Sequence, residues 1–214
     1  MSSYTCPTIS AIVVNFNAGG FLGLCIDRIR KSTPTVELIV VDNHSTDISK
    51  VWGLGCNGRQ NEKYIQNDRN LGFSAAVNIG ASAASGDILV VINPDCLVWP
   101  HTIDRLCRLL KDQLEVGLVG GLVFDIHGSE QAGCRRYDVT PMRSIGKMLD
   151  KLFPLRNMPT IDMTKEPIPQ NSIDVDAVSG SFFAVRKSVY RELGGMDEDY
   201  FLHFEDLDFC RRVR

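Results

Sequence analysis

The residues Asp87-Ile88-Leu89-Val90-Val91-Ile92-Asn93-Pro94-Asp95 constrain the fold of this chain more than any others. Ile88 to Ile92 is a short apolar run rich in β-branched side chains and preceded by Ser85-Gly86-Asp87, the pattern of a strand covered on both faces of a sheet. Asn93-Pro94 ends that strand, because proline has no N–H for the ladder and drives the residue before it out of the helical region. Asp95 is left at a carboxyl edge, where open α/β sheets bind their ligands and where a carboxylate can hold a divalent metal and, through it, phosphate oxygens. An aspartate so placed can also do no more than cap the following helix.

Around this strand the chain alternates. Residues 9–16 read as a strand ended by Asn17-Ala18-Gly19-Gly20, after which Phe21, Leu22, Cys25, Ile26 and Ile29 recur at helical spacing. Residues 36–41 repeat the buried-strand pattern and run into Asp42-Asn43-His44-Ser45-Thr46-Asp47, small polar residues suited to a turn and a helix N-cap. A short strand at 63–65 and an alanine-rich helix at 73–84 precede the anchor strand. Beyond it, Pro100 opens a helix with a stripe of Ile103, Leu106, Cys107, Leu110 and Leu114, and residues 116–124 predict one or two more strands. This order predicts an α/β fold, a mostly parallel sheet flanked on both faces by helices and joined by right-handed crossovers.

From residue 127 to 171 the pattern weakens: five prolines fall between Pro141 and Pro169, no strand is expected, and this stretch is the expected mobile region. Within it Ile145, Met148, Leu149 and Leu152 form an apolar stripe beside Arg143, Lys147 and Lys151. Such a helix either packs on its own domain with a solvated basic face or touches anionic lipid. Strands are expected again at 173–178 and 181–185, around Ser179-Gly180, then a helix at 187–193 closed by Gly194-Gly195. Arg211-Arg212-Val213-Arg214 read as the middle of a helix, so the natural chain is expected to continue.

With 214 residues, 44% of them hydrophobic, the chain can bury one sizeable core, with or without an appended lobe. A formal charge of −3 argues against nucleic acid as a partner. Seven cysteines without a C-x-x-C pair are expected to be reduced thiols rather than a zinc site. The first residues lack a basic region and apolar run, and no stretch approaches the ~18 apolar residues of a membrane span, so the cytoplasm is expected. Gly53-Leu54-Gly55-Cys56-Asn57-Gly58 spells G-x-G-x-x-G, but it follows a helical or irregular segment and precedes a polar run, so it is expected to be a loop.

Three acidic clusters stand out: Asp42 and Asp47 after one strand, Asp95 after another, and Glu205, Asp206 and Asp208 near the end. Between the first two lies Asn70-Leu71-Gly72-Phe73, where Gly72 can let backbone N–H groups approach an anion at a helix start. Ala76 and Gly80 on that helix suit tight helix–sheet packing.

Together with Val13-Val14-Asn15-Phe16-Asn17, Asn78, Gly180-Ser181-Phe182-Phe183 and Gly194-Gly195-Met196-Asp197-Glu198, these blocks resemble the inverting family-2 glycosyltransferases of the GT-A, Rossmann-like fold. They keep the family's order and leave only residues 127–171 uncovered. The Asn-Pro-Asp form looks most like a branch with many bacterial rhamnosyltransferases that use dTDP-rhamnose. The resemblance implies a single domain, with nucleotide-sugar binding in about residues 1–98 and the acceptor side in about 99–214. It implies that Asp42 reads a pyrimidine base and that the Asn15 to Asn17 loop supports the nucleoside. Asn43, Asn70, Gly72, Phe73, Asn78 and Asn93 complete the donor side by the same carry-over, and Gly180, Asp197 and Glu198 the acceptor side. Asp95 would bind Mg2+ or Mn2+ on the diphosphate; Asn93 stands where the family often has the first aspartate of Asp-x-Asp, which weakens the expected metal affinity or makes it depend on substrate. Glu205-Asp206 matches the family's acidic pair, with Asp206 as general base for an acceptor hydroxyl.

The implied reaction moves a hexose or deoxyhexose from a dTDP- or UDP-sugar to a glycan or lipid-linked saccharide, the latter placing the protein peripherally at the inner membrane face. A sugar-1-phosphate nucleotidyltransferase would use a similar sheet, but no N-terminal glycine-rich loop with a basic partner is present to cradle a triphosphate. A third reading is a non-catalytic module that keeps the nucleotide-sugar pocket; Asp206→Asn separates it from an enzyme.

Overall fold

A computed structural model describes residues 8–140, 143 and 161–214, so the apolar stripe of Ile145, Met148, Leu149 and Leu152 lies outside the described residues. The chain begins β1 (Ile9–Asn15), α1 (Phe21–Ser32), β2 (Glu37–Asp42), α2 (Ser49–Leu54), β3 (Glu62–Gln66), α3 (Phe73–Ala83), β4 (Ile88–Ile92) and α4 (Thr102–Asp112). It continues with β5 (Leu118–Gly120), β6 (Arg135–Arg136), β7 (Ala177–Val178), β8 (Phe182–Arg186), α5 (Lys187–Glu192) and α6 (Glu205–Val213). The main sheet has the order β3-β2-β1-β4-β8-β5. β1 to β4 are parallel, whereas β8 runs antiparallel to both β4 and β5. The parallel part is built as its apolar runs require: every residue of β4 is buried, and alternate side chains of β1, β2 and β4 go to opposite faces. Val13, Val40 and Val90 pack against α1 and α4, while Ile12, Val41 and Val91 pack beneath α3 and α6. A Cβ on Gly80 would lie 2.5 Å from Ile12 Cγ2, so α3 packs too closely on the sheet for any larger residue there.

Three expectations are corrected. Only Leu118–Gly120 of the 116–124 segment enters the sheet, and Phe124 makes an isolated bridge with Glu130. The strand expected at 173–178 shrinks to Ala177–Val178, which pairs with β6 and not with the main sheet. Asp176 in that segment is drawn into ion pairs with Arg214 and Arg143 instead of a ladder. β6 itself falls where no strand was expected, because its pairing partner lies about forty residues onward and no local periodicity announces it. The G-x-G-x-x-G decoy is a loop from Gly55 onward, but Gly53 and Leu54 form the last residues of α2; Gly53 lies under the Tyr64 ring, 2.4 Å from where a Cβ would sit, and no helix follows before β3.

At the amino end of the sheet the Glu37 carboxylate accepts hydrogen bonds from Ser10 Oγ, the Ser85 N–H and Lys63 Nζ, tying together β1, β2, β3 and the turn before β4. Burial works to raise its pKa, but these bonds prevail and lower it from 4.5 to about 2. With the folded-state value below the unfolded one, the stabilisation is complete above the unfolded pKa and is lost as pH falls through the folded one. Urea midpoints measured from about pH 5 down to about pH 2.5 should therefore fall less steeply in Glu37→Gln than in the unsubstituted protein.

Candidate functional site

A cleft of about 640 Å³ opens beyond the carboxyl ends of β1, β2 and β4. Asn17, Asn43, Asn70, Gly72, Phe73, Asn93 and Asp95 all line it, as does Phe16 of the Asn15 to Asn17 loop, together with Phe21, Phe201 and Leu202, which sequence reasoning did not place there. The four asparagines are held by hydrogen bonds. Asn17, at φ +52°, donates its N–H to Ser45 Oγ at 3.0 Å and accepts the Thr46 N–H on Oδ1 at 2.9 Å, joining the loops after β1 and β2. Asn43 donates Nδ2 to the Gly72 carbonyl at 3.0 Å and accepts from Asn67 Nδ2 at 2.8 Å. Asn70 Oδ1 accepts the Gly72 N–H at 3.0 Å, and the Asn93 N–H donates to the Ser181 carbonyl at 2.8 Å. Asp95 is exposed, and its carboxylate has no hydrogen bond or ion pair among the described residues.

Other expected residues stand elsewhere. Asn15 and Asp42 are fully buried and do not line the cleft. They face each other across β1 and β2, where Asn15 Nδ2 lies 2.6 Å from Asp42 Oδ2, 3.0 Å from Ser45 Oγ and 2.9 Å from Ser49 Oγ. Asp42 Oδ1 accepts the Ser45 N–H at 2.7 Å. The carboxylate expected to read a base is thus turned inward as the tie between two strand-end loops, and its neighbour Asn43 faces the cleft.

Gly72 lines the cleft and also has a packing role. Gly72 lies at φ +88°, and a Cβ there would sit 2.6 Å from the Phe201 carbonyl oxygen. That carbonyl accepts the Phe73 N–H at 2.9 Å, and the Tyr200 carbonyl accepts Ser74 Oγ at 3.0 Å. The Gly72 and Phe73 N–H groups are thus taken, by Asn70 Oδ1 and the Phe201 carbonyl, and glycine serves the approach of the 196–204 loop.

Asn78 anchors that same loop from outside the cleft. Its Oδ1 accepts the Tyr190 hydroxyl at 2.5 Å and the Met196 N–H at 3.0 Å, and its Nδ2 donates to the Met196 carbonyl and Glu198 Oε1, both at 2.9 Å. Glu198 is a fixture of this anchor, and Asp197 Oδ1 accepts the Asp199 N–H at 3.0 Å within the loop.

The acidic pair lies behind Phe73. A Cβ on Gly180 would lie 3.6 Å from Phe73 Cε1 and 3.3 Å from Asp206 Cβ. Asp206 Oδ2 accepts the Gly180 N–H at 2.9 Å and Arg136 Nη2 at 2.6 Å. Arg136 was missed: it comes from β6, seventy residues away in sequence, and only the Arg135-Arg136 doublet in a polar stretch marked it. Glu205 is 7% exposed with Oε2 unpartnered, and burial raises its carboxyl pKa above the ordinary value, with the Asp206 charge adding to the effect.

The family model for glycosyl transferase family 2 matches residues 10–194. The chain belongs to that family. It is 27% identical over 217 residues to an N-acetylglucosaminyl-diphospho-decaprenol L-rhamnosyltransferase of Mycobacterium tuberculosis, an alignment covering 96% of this chain and 70% of the relative. Among solved structures, GalNAc-T7 with UDP, GalNAc and Mn2+ matches at a TM-score of 0.68 and 18% identity, over 99% of this chain and 41% of that one. The mannosyltransferase PcManGT from Pyrobaculum calidifontis, in complex with GDP-Man and Mn2+, matches at 0.63 and 18%, over 98% and 52%. This family 2 chain thus spans about half the length or less of those two solved chains, and its fold is GT-A as expected.

The residues that line the cleft can offer a divalent metal one carboxylate, that of Asp95. Among the described residues no cluster of three or more histidines, cysteines or acids is placed to hold an ion. Mg2+ and Mn2+ at nucleotide sites commonly take one or two protein carboxylates and complete their shell with phosphate oxygens and water, and the unpartnered Asp95 can supply one.

Proposed function

We propose that this family 2 glycosyltransferase moves a sugar, with rhamnose from dTDP-rhamnose as the first candidate, from a nucleoside diphosphate to a hydroxyl of a glycan or lipid-linked saccharide, inverting the anomeric centre. The observation that carries the reading is Asp95, an exposed carboxylate without a protein partner at the carboxyl edge of β4, inside a cleft large enough for a nucleotide. Asn17, Asn43, Asn70 and Asn93 line that cleft, which supports the reading that they orient the donor. Asp206 is the proposed general base. As the acceptor hydroxyl oxygen bonds to the anomeric carbon, its proton passes to the carboxylate and the carbon–diphosphate bond breaks. A metal held by Asp95 would offset charge on the departing diphosphate. The lipid-linked acceptor named for the mycobacterial relative supports an acceptor of that class here. Such an acceptor would place the work at a membrane face; no helix among the described residues is long and apolar enough to cross one.

Calorimetric titration of dTDP, UDP, GDP and ADP, with and without Mn2+, tests the donor half. A pyrimidine diphosphate should bind at least about tenfold tighter with Mn2+, a gain of about 1.4 kcal/mol, and Asp95→Asn should remove that gain. Binding of none of the four, or equal metal enhancement in Asp95→Asn, would count against the assignment. Release of dTDP from dTDP-rhamnose, with a prenyl-diphospho-N-acetylglucosamine acceptor or with water, tests turnover.

A further inference from the structure

We propose that Arg136 is a positioning residue for Asp206, presenting Oδ1 of that carboxylate as the atom that takes the acceptor proton. The inference rests on the reading of Asp206 as general base. A carboxylate offers about four lone-pair positions, two on each oxygen. Both positions on Oδ2 are taken, one by Arg136 Nη2 at 2.6 Å and one by the Gly180 N–H at 2.9 Å. Among the described residues Oδ1 accepts the Leu207 N–H alone, at 2.8 Å, and retains one free position. A proton arriving at Asp206 therefore meets Oδ1.

Arg136 is fixed in turn. Its Nη2 also donates to the Val178 carbonyl at 2.7 Å, and its backbone pairs with Ala177 in the β6–β7 ladder and bridges to Asp162. Both side chains of the ion pair are 15% exposed, so the guanidinium is not free to swing into solvent. Arg136 Nε is buried without a partner among the described residues, an arrangement that costs stability. A buried charge with an unsatisfied donor is a poor stabilising device, since an apolar residue of similar volume would serve the core at least as well. Holding one carboxylate oxygen so that the other is presented accounts for the cation and for its incomplete bonding.

The step balances without a further reagent. The acceptor O–H bond breaks as its oxygen bonds to the anomeric carbon, the proton goes to Asp206 Oδ1, and the diphosphate leaves with the electron pair of the glycosidic bond. Arg136 gives up no proton.

The test is a double-mutant cycle of Arg136→Met and Asp206→Asn with Arg136→Lys alongside, read as dTDP release from dTDP-rhamnose with the prenyl-diphospho-N-acetylglucosamine acceptor or water. Arg136→Met should lower kcat by about 10- to 100-fold while donor KM and dTDP affinity change less than about twofold. Arg136→Lys, which keeps the charge but not the fork, should fall between the two and guards against failure of the methionine variant to fold. In the Asp206→Asn background Arg136→Met should bring no further loss, because the two act as one unit. An unchanged kcat in Arg136→Met, a loss of equal size in the Asp206→Asn background, or a raised donor KM with kcat intact would each overturn the inference while leaving Asp206 as base. Full kcat in Asp206→Asn would instead overturn the base itself, and no dTDP release by the unsubstituted protein would overturn the proposed function.

Discussion

Asp206→Asn is expected to lower turnover by about 10²- to 10⁴-fold, the range in which a positioned general base contributes, while leaving dTDP or UDP binding within about twofold. The amide keeps the volume of the carboxylate but cannot take a proton, and the substituted side chain lies behind Phe73, outside the cleft that contains Asp95. The substitution also removes the acidic partner of Arg136, an ion pair only partly open to solvent, so some stability is lost as well. Those two effects separate experimentally. Thermal unfolding reports the lost pair, whereas the rate at a temperature well below the transition, with nucleotide affinity as an internal check, reports the chemistry. A variant that binds nucleotide normally and turns over at an unchanged rate would shift attention to Glu205, whose Oε2 is buried and unpartnered one residue away. A chain with no turnover to lose, yet with metal-enhanced nucleotide binding, would be a binding module.

The parts of this site that were legible in sequence are those fixed by local chemistry. Pro94 ends β4 wherever it stands, so Asp95 reaches the carboxyl edge without help from distant residues. The same holds for Gly80, whose small size belongs to the packing of α3 on Ile12. Asp42 was legible in position and not in direction: its strand ends where expected, but pairing opposite Asn15 turns the side chain inward. The closure of the 196–204 loop on α3 depends on carbonyls of Tyr200 and Phe201 meeting Ser74 and Phe73 more than a hundred residues earlier. No periodicity carries that information. Asn78 shows the same limit, since nothing within its helix distinguishes a ligand contact from an anchor for Met196 and Glu198. Arg136 was hidden because its neighbours in sequence give no pattern and its partner in space is seventy residues away.

Glu130→Ala is expected to be the most destabilising single change at the acceptor side, by about 3–5 kcal/mol. Glu130 and Arg135 form a two-pronged ion pair, Nε to Oε1 at 2.8 Å and Nη2 to Oε2 at 2.7 Å, with side chains only 4% and 6% exposed. The carboxylate is the main reason the Arg135 pKa is raised, and its removal leaves the guanidinium in the interior hydrogen-bonded, among the described residues, to the carbonyls of Met163 and Glu166 at 3.3 and 3.5 Å, with the more distant Glu166 charge as its remaining acidic neighbour. For a chain of this size each kcal/mol moves the thermal midpoint by about 2–4 °C, so a drop of roughly 6–20 °C is expected. Arg135→Lys should cost less, because a lysine keeps the charge pairing while losing the fork. Replacing both members together by leucine and methionine should recover much of the loss, since the penalty lies in the orphaned charge and not in the absence of the pair. A single Glu130→Ala variant melting within about 2 °C of the unsubstituted protein would show that water or a shifted partner reaches Arg135, and that the pair is not closed as described. Arg135 precedes Arg136 in β6, so the buried pair also sets the strand from which Arg136 reaches Asp206. Glu130→Ala should for that reason lower turnover even at temperatures where the protein stays folded, whereas the apolar double replacement, which restores a packed β6, should return both stability and rate toward those of the unsubstituted protein.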